Sequence, residues 1–305
     1  MRRLKLIVKA PTMVRMQKFM LCGLIAFAAA ISLTVDNPAM GADTEIITHC
    51  DFVSPTYQAV WRPGTTEETL LVEASWDEFL AKDQDLRPQG WRLHQIHTNV
   101  YNCKGRIRWT FDVLWRLEGN IDEFGIFAWK WNDFINKNNE MRSQGWLMTL
   151  IDGFVSGNDT LFNAVWRRST VDQIDIYGWS FNDFDNKTRE LSSQGWRFHL
   201  IDSYQLSDGS RRYNASWRRG SVGEYWILGW APQDYENQYV ELQSQGWNLA
   251  GLTASGFGTD MRFDAFWHDT RVQEIRQKNM DRNAFLQAQK DNLSWGWNIY
   301  LFERD

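Results

Sequence analysis

The chain has 305 residues, of which 43% are hydrophobic and 23% charged, with only 6 prolines. That length is ample for a buried core, and the composition excludes a disordered or collagen-like chain. The formal net charge of −5 argues against a generic nucleic-acid binder, which needs a basic surface; Arg167, Arg168, Arg218 and Arg219 read as solvated strand ends.

At the N-terminus, residues 19–35 (FMLCGLIAFAAAISLTV) are apolar and uncharged. Arg15 and Lys18 precede them, and Ala39-Met40-Gly41 follows as a small-x-small cleavage signal. This is the layout of a secretory signal peptide, with an uncleaved membrane anchor as its rival. Residues 1–42 therefore read as signal peptide and cleavage region, cut near Gly41 or Ala42, and 43–305 as a single tandem-repeat domain, secreted or periplasmic. No later stretch is apolar enough to cross a membrane. Cleavage removes Cys22 and leaves Cys50 and Cys103, an even pair that in an exported chain makes a candidate disulfide, with two free thiols as the alternative.

The rest of the chain repeats. Gly-Trp occurs at 90–91, 145–146, 195–196, 246–247 and 296–297. A second phrase, aromatic-x-small-x-Trp, ends at Trp61, Trp115, Trp166, Trp217 and Trp267. Both phrases keep a period of about 50 residues, the signature of a tandem array.

Within one unit, Asn132–Gln144 is polar with Phe134 and Met141 seven apart on one helical face; Phe184 and Leu191, and Tyr235 and Leu242, repeat the spacing. Pro232 suits a first helical position. The glycine that follows each helix stops it in a left-handed conformation. A strand such as Trp146–Ile151 comes next, then a polar turn, then a closing strand in which Phe162, Ala164 and Trp166 share one face while Asn163 points the other way. A further short strand (Phe124–Trp129, Ile174–Trp179, Tyr225–Trp230) leads into the next helix. The fold class is thus α+β: units of about 50 residues, each a helix, an antiparallel hairpin and a further strand. The expected assembly is a curved sheet, solenoid or half-barrel with helices on one face. The terminal units are partial, and their missing halves are complementary, which would close a ring.

Stretches such as GWRFHLIDSYQLSDGSRRYNASW (195–217) resemble the bacterial tandem repeat of polyglycine hydrolase-like proteins, over roughly residues 45–305. The resemblance implies a half-barrel scaffold outside the cell, set in the fungal enzymes beside a β-lactamase-type serine hydrolase domain. This chain departs from that pattern. It has no Ser-x-x-Lys motif and, ending at Asp305, no room for that domain, so the hydrolase chemistry is not expected.

Other chemistry is sparse. Nucleophile-elbow, zincin and phosphate-loop motifs are absent. His94 and His97 lie three apart near Cys103, but residues three apart in a strand face opposite sides, so no metal site and no cofactor is expected. Asp152 and Asp202 occupy matching positions, with His97 and Thr253 in the other units; an acid pair suits glycoside hydrolysis, although structural capping or solvation explains the recurrence more simply.

The 18 tryptophans need a structural or binding reason. Trp91, Trp146, Trp196, Trp247 and Trp297, with the five closing tryptophans, read as repeat core. Trp129, Trp179 and Trp230, at the strand-to-helix corner, are the candidate binding row. The expectation is an exported, noncatalytic scaffold or binding module for an extended peptide or glycan polymer. The alternative is a secreted hydrolase with a carboxylate-based site. The polymer or protein partner and the oligomeric state are not legible.

Overall fold

The computed structural model describes residues 55–103, 106–256 and 258–304. The chain divides into Met1–Glu45 and Ile46–Asp305, and everything described lies in the second unit. The expected signal peptide and Cys50 lie outside the described residues.

The elements run β1 (Tyr57–Pro63), β2 (Glu68–Ala74), α1 (Trp76–Leu86), β3 (Trp91–Cys103), β4 (Arg106–Leu117), β5 (Glu123–Lys130), α2 (Trp131–Ser143), β6 (Trp146–Ser156) and β7 (Asp159–Arg168). They continue with β8 (Gln173–Trp179), α3 (Phe181–Ser193), β9 (Trp196–Gln205), β10 (Arg211–Arg219), β11 (Glu224–Trp230), α4 (Pro232–Ser244), β12 (Asn248–Ser255) and β13 (Arg262–His268). The last are β14 (Ile275–Met280), α5 (Arg282–Ser294) and β15 (Trp297–Arg304). One order, strand-helix-strand-strand, thus repeats four times from β2 to β13. The fifth set, β14-α5-β15, lacks its closing strand, and β1 from the other end of the repeat region supplies it.

Each unit is a helix on a three-stranded antiparallel sheet with the closing strand in the middle: β2-β4-β3, β5-β7-β6, β8-β10-β9, β11-β13-β12 and β14-β1-β15. One continuous curved sheet is therefore not what forms. The strands make five separate sheets, and among the described residues none closes into a barrel. The reason lies in the inner strands β3, β6, β9, β12 and β15, which meet their neighbours through polar side chains rather than backbone ladders. Thr98 Oγ1 donates to Asp152 at 2.6 Å, Gly153 N donates to Asp202 at 3.0 Å, and Ser203 Oγ donates to Ser255 at 3.2 Å.

The helices start and stop for local reasons. Ser75 and Glu78 form a capping box on α1, Ser180 and Asp281 cap α3 and α5, and Pro232 opens α4. Gly145, at φ 78°, follows α2 in the left-handed conformation that only glycine adopts without strain.

Packing inside each unit repeats one aromatic stack. Phe79, Phe134, Phe184, Tyr235 and Phe285 from the helices stack on Phe111, Phe162, Tyr213, Phe263 and Tyr57 of the closing strands, with centroids 4.7–5.3 Å apart. Two residues along each closing strand from the small residue lies its tryptophan: Trp61, Trp115, Trp166, Trp217 and Trp267 are at most 1% exposed. Truncating such a ring to alanine typically costs about 3–5 kcal/mol. In three units the indole donates to a side-chain oxygen of the helix residue four after the stacking aromatic: Trp61 to Gln289 at 2.8 Å, Trp115 to Asp83 at 3.0 Å and Trp166 to Asn138 at 3.0 Å.

The seams between units repeat as well. The residue after each closing tryptophan faces the residue at the start of its unit's leading strand, or just before it in the fifth unit: Arg62 with Glu274 (3.2 Å), Arg116 with Glu68 (2.8 Å), Arg167 with Glu123 (2.8 Å), Arg218 with Gln173 (2.8 Å) and His268 with Glu224 (3.2 Å). Each pair then grips the inner strand of the preceding unit two residues past its Gly-Trp tryptophan. Arg62 donates to Leu249 O, Arg167 to Leu93 O, Gln173 to Met148 O and Arg116 to Ile299 O, while Phe198 N donates to Glu224. The fifth unit is thereby joined to the first by the same seam as the others. Arg167 and Arg218, expected to be solvated, are half-buried seam residues; their neighbours Arg168 and Arg219 stack on Trp146 and Trp196.

Candidate functional site

The inner strands bring one station of every unit to a common cavity of about 760 Å³. His97, Asp152, Asp202, Thr253 and Glu303 occupy that station, six residues past each Gly-Trp tryptophan, and four of the five were aligned by the sequence reading. Glu303, the fifth, was missed, although counting six from Trp297 finds it. Tyr101, Phe154 and Tyr204 add aromatic wall, and Ser207, Gly256 and Met261 lie at the hairpin ends.

Of the two simpler explanations, solvation fails, because Asp152 and Asp202 are each 7% exposed, and structural capping holds, because they accept from the backbone N–H groups of Thr98 and Gly153. Their depth comes from a second set of positions, on the closing strands: Gln58, Asp112, Asn163, Asn214 and Asp264, all at most 3% exposed. Asn163 and Asn214, expected to face away from the core, point into this polar interior because the sheet is covered on both faces. Asn163 donates to Asp152 at 2.7 Å and Asn214 to Asp202 at 2.7 Å.

The same side chains hold the backbone where each leading strand turns into its helix. Glu73, Ala128, Gly178, Gly229 and Asn279 all have φ between 54° and 69°, two residues before the helix cap. The left-handed residue breaks the ladder as a bulge and leaves its N–H unpaired by backbone. The closing strand answers with a side-chain oxygen: Glu73 N donates to Asp112 at 2.6 Å, Ala128 N to Asn163 at 2.8 Å, Gly178 N to Asn214 at 2.9 Å and Gly229 N to Asp264 at 2.6 Å. In four units of five an Asp or Asn at this station thus answers the bend, and in the fifth Gln58 stands opposite Asn279.

Burial controls the charges. It pushes the Asp152 carboxyl up to about 6, against the hydrogen bonds from Thr98 and Asn163 that favour its ionised form. Asp202 is raised well above the usual carboxylate range, first by burial and then by the nearby Asp152 charge. Asp112 and Asp264 are raised by burial too, opposed by Arg304 and Arg211. Burial lowers His97 to about 4; its Nδ1 lies 3.6 Å from Glu303 Oε2 and its ring meets Phe302 at 5.0 Å.

The remaining candidates are dispersed. Trp179, 37% exposed, lines an open surface hollow with Ser180, Asp183, Lys187, Glu190 and Arg212. Trp129 and Trp230 instead pack, partly buried, against the core clusters of their own units. Trp196 is core, while Trp91, Trp146, Trp247 and Trp297 are partly buried against core clusters. His94 pairs with Glu118 at 2.8 Å, away from His97's partner Glu303, so the two histidines share no site. Cys103 is disulfide-bonded. Among the described residues no group of three or more His, Cys, Asp or Glu side chains is placed to hold a metal ion, and no helix is long and apolar enough to cross a membrane.

A comparison with curated proteins finds no match. A family model does match: the polyglycine hydrolase-like structural repeat, at residues 130–169 and 176–220. These stretches carry α2, β6 and β7, then α3, β9 and β10, together with their aromatic stacks and their closing tryptophans. The second and third units of this chain are polyglycine hydrolase-like structural repeats.

Proposed function

We propose that this chain is an exported, noncatalytic binding scaffold, and that it takes a segment of peptide or glycan into the cavity of its inner strands. The observation behind the reading is that all five units contribute the same station to one cavity with polar floor and aromatic wall. Ligand sites of this volume class are typically concave, apolar-walled and furnished with a few fixed polar groups. We take the array as curved, with helices on the outer face and the cavity on the inner; the fifth-to-first seam supports that arrangement.

The test is a glycan and peptide array probed with the wild-type chain, Ala254→Trp and Trp179→Ala. Ala254 lines the cavity and also packs against the fourth unit's core, so an indole there obstructs part of the cavity, and circular dichroism checks that the variant folds. Loss of binding in Ala254→Trp supports the reading. Loss in Trp179→Ala alone moves the site to the corner hollow, and unchanged binding in Ala254→Trp rejects the cavity.

A carboxylate-based hydrolase is the second reading, favoured by two carboxyls with raised pKa in one cavity. Against it, Asp152 accepts from Thr98 and Asn163 through both of its oxygens, and Asp202 from Gly153 and Asn214 through Oδ2, so the pair does not offer two free carboxyls. Product release from oligosaccharides that stops in Asp202→Asn would favour this reading over the first.

A further inference from the structure

Most of the buried acids in this protein come with arginines. Glu68, Glu123 and Glu274 pair with Arg116, Arg167 and Arg62; Asp83 pairs with Arg87; Asp112 and Asp264 each have an arginine nitrogen 3.7 Å away, from Arg304 and Arg211. Asp152 and Asp202 are as deeply placed, yet among the described residues neither is in an ion pair. Their hydrogen bonds are also unequal. Both partners of Asp202, Gly153 N and Asn214 Nδ2, bond Oδ2, and among the described residues no donor reaches Oδ1. An oxygen of a side chain 7% exposed, on the wall of a cavity, is thus left for something the cavity receives. A buried charge is tolerated only when paired or neutralised by a proton.

We propose that the cavity binds an organic cation, a primary ammonium or a guanidinium, with its charged end on Asp152 and Asp202 and its stem against Phe154 and Tyr204. The proposal rests on reading the cavity as a binding site and adds the class of ligand. The carboxyls supply the counter-charge that Arg304 and Arg211 receive elsewhere. Tyr101, Phe154 and Tyr204 give a wall of aromatic rings, which suits an alkyl stem and adds cation-π attraction. A volume of about 760 Å³ is far larger than a bare metal ion needs, which also favours an organic ligand.

Binding is linked to protons. Burial raises both carboxyls and the Asp152 charge raises Asp202 further, so near pH 6 the pair holds a proton; an arriving cation favours the ionised pair, so a proton leaves as ligand enters. The other titratable and charged groups around the pair are His97 and Tyr101 from β3, Tyr204 from β9, Asp264 from β13, and Glu303 and Arg304 from β15.

Calorimetry of the wild-type chain tests this, with 2-phenylethylamine, the dipeptide amide Phe-Ala-NH₂ and, as neutral counterparts, 2-phenylethanol and the N-acetylated dipeptide amide. The amines should bind at least about tenfold more tightly than their neutral counterparts. At pH 6, titration in buffers of different ionisation enthalpy should show release of roughly one proton per ligand. Asp202→Asn, checked for folding by circular dichroism, should remove the preference for the amine. Tight binding of only the dipeptide amide assigns the cation to a peptide terminus, and of both amines to the ammonium group itself. Equal affinity for amine and alcohol, or no proton release, overturns the proposal, and the proton measurement needs no variant. If a neutral oligosaccharide or the acetylated peptide binds, Ala254→Trp blocks it and no amine does, the ligand class is wrong and the scaffold reading stands. If neither charged nor neutral probes bind, both fall.

Discussion

The guanidinium of Arg116, in the first unit, donates to the carbonyl of Ile299, 183 residues away in the last strand. It simultaneously pairs with Glu68, whose side chain is fully buried, and Glu68 in turn accepts from Ile299 N at 3.0 Å. The same triangle joins Arg167, Glu123 and Leu93 between the first two units, so the seam that brings the two ends of the repeat array together is an ordinary seam.

Removing the arginine leaves a buried carboxylate with no cation. Arg116→Ala should therefore destabilise the chain by roughly 3–5 kcal/mol, the range for breaking one partner of a buried pair. Arg168, 56% exposed by side chain, with the exposed Asp122, the Gln144 carbonyl and the Trp146 ring as its partners, is the surface control. Arg168→Ala should change stability by at most about 1 kcal/mol. Urea denaturation followed by tryptophan fluorescence measures both, and equal effects would mean that the seam carries no special weight.

Trp166 Nε1 finds Asn138, and Tyr177 donates to the same oxygen at 3.2 Å. In the next unit Thr188 stands at that helical position, and both Trp217 Nε1 and Thr188 Oγ1 are buried without a hydrogen-bond partner. Thr188→Asn carries the second unit's solution into the third and should raise stability by about 1 kcal/mol. Asn138→Thr should lower it by a similar amount. A fall in melting temperature for Thr188→Asn would show that the space beside Trp217 does not admit the amide.

The repeat was legible because its signals are steric. A tryptophan filling one cavity per unit, a glycine ending one helix per unit, and Phe134 and Met141 on one helical stripe are forced by shape and recur at one period. Five helices and the hairpins followed from that reading. The polar interior did not. Asn163 and Asp152 alternate with apolar neighbours as solvent-facing residues do, and alternation does not report that the second face of a sheet is covered. The bends at Glu73 and Ala128 were hidden for a related reason: nothing in these side chains signals a left-handed backbone, whereas Gly178 and Gly229, and more weakly Asn279, do. The seams left a usable trace. Arginine follows the closing tryptophan in four units of five, and Glu68, Glu123 and Glu224 open three leading strands while Glu274 immediately precedes a fourth, so aligning the units on both phrases exposes the pairing. The corner row of Trp129, Trp179 and Trp230 was inferred from recurrence alone, which does not distinguish a ring partly covered by its own unit from one open to a ligand.

The acids make a signed pH prediction. Asp202 is raised in the folded protein above its unfolded value, so its folded form holds a proton that the unfolded chain releases. Its stabilising contribution is complete below the unfolded pKa and is lost as pH rises through the folded one. Asp152, Asp112 and Asp264 are raised too and act in the same sense, while His97, lowered to about 4, acts in the opposite sense between about 4 and 6.5, so the whole-protein curve mixes several groups. Comparison with Asp202→Asn, which resembles the protonated acid and does not titrate, isolates the carboxyl. The variant should match the wild type near pH 4 and become more stable than it by about 1–3 kcal/mol at pH 8. Melting temperatures at both pH values decide it, and a stability difference that does not change with pH would mean that Asp202 stays ionised throughout.

The bend before each helix separates backbone strain from side-chain packing. Ala128 and Gly178 stand at the same station with φ 55° and 65°, and each N–H is taken by an asparagine oxygen. An alanine in that conformation is disfavoured by roughly 1–2 kcal/mol because its Cβ crowds the carbonyl. Glycine removes the crowding but adds freedom to the unfolded chain, which takes back roughly 0.4–1 kcal/mol. Ala128→Gly should therefore stabilise by about 0.5–1 kcal/mol, a gain from deleting a methyl group. The reverse change is not its mirror image. A Cβ at Gly178 would lie 3.0 Å from two ring carbons of Trp131, a partly exposed indole of the preceding unit, so Gly178→Ala meets both backbone strain and a contact between units. It should destabilise by about 2 kcal/mol or more. Replacing Trp131 by leucine in the same chain should recover the packing part and leave the strain. Full recovery in the double variant would place the whole effect in the contact and remove the case for a strained bend.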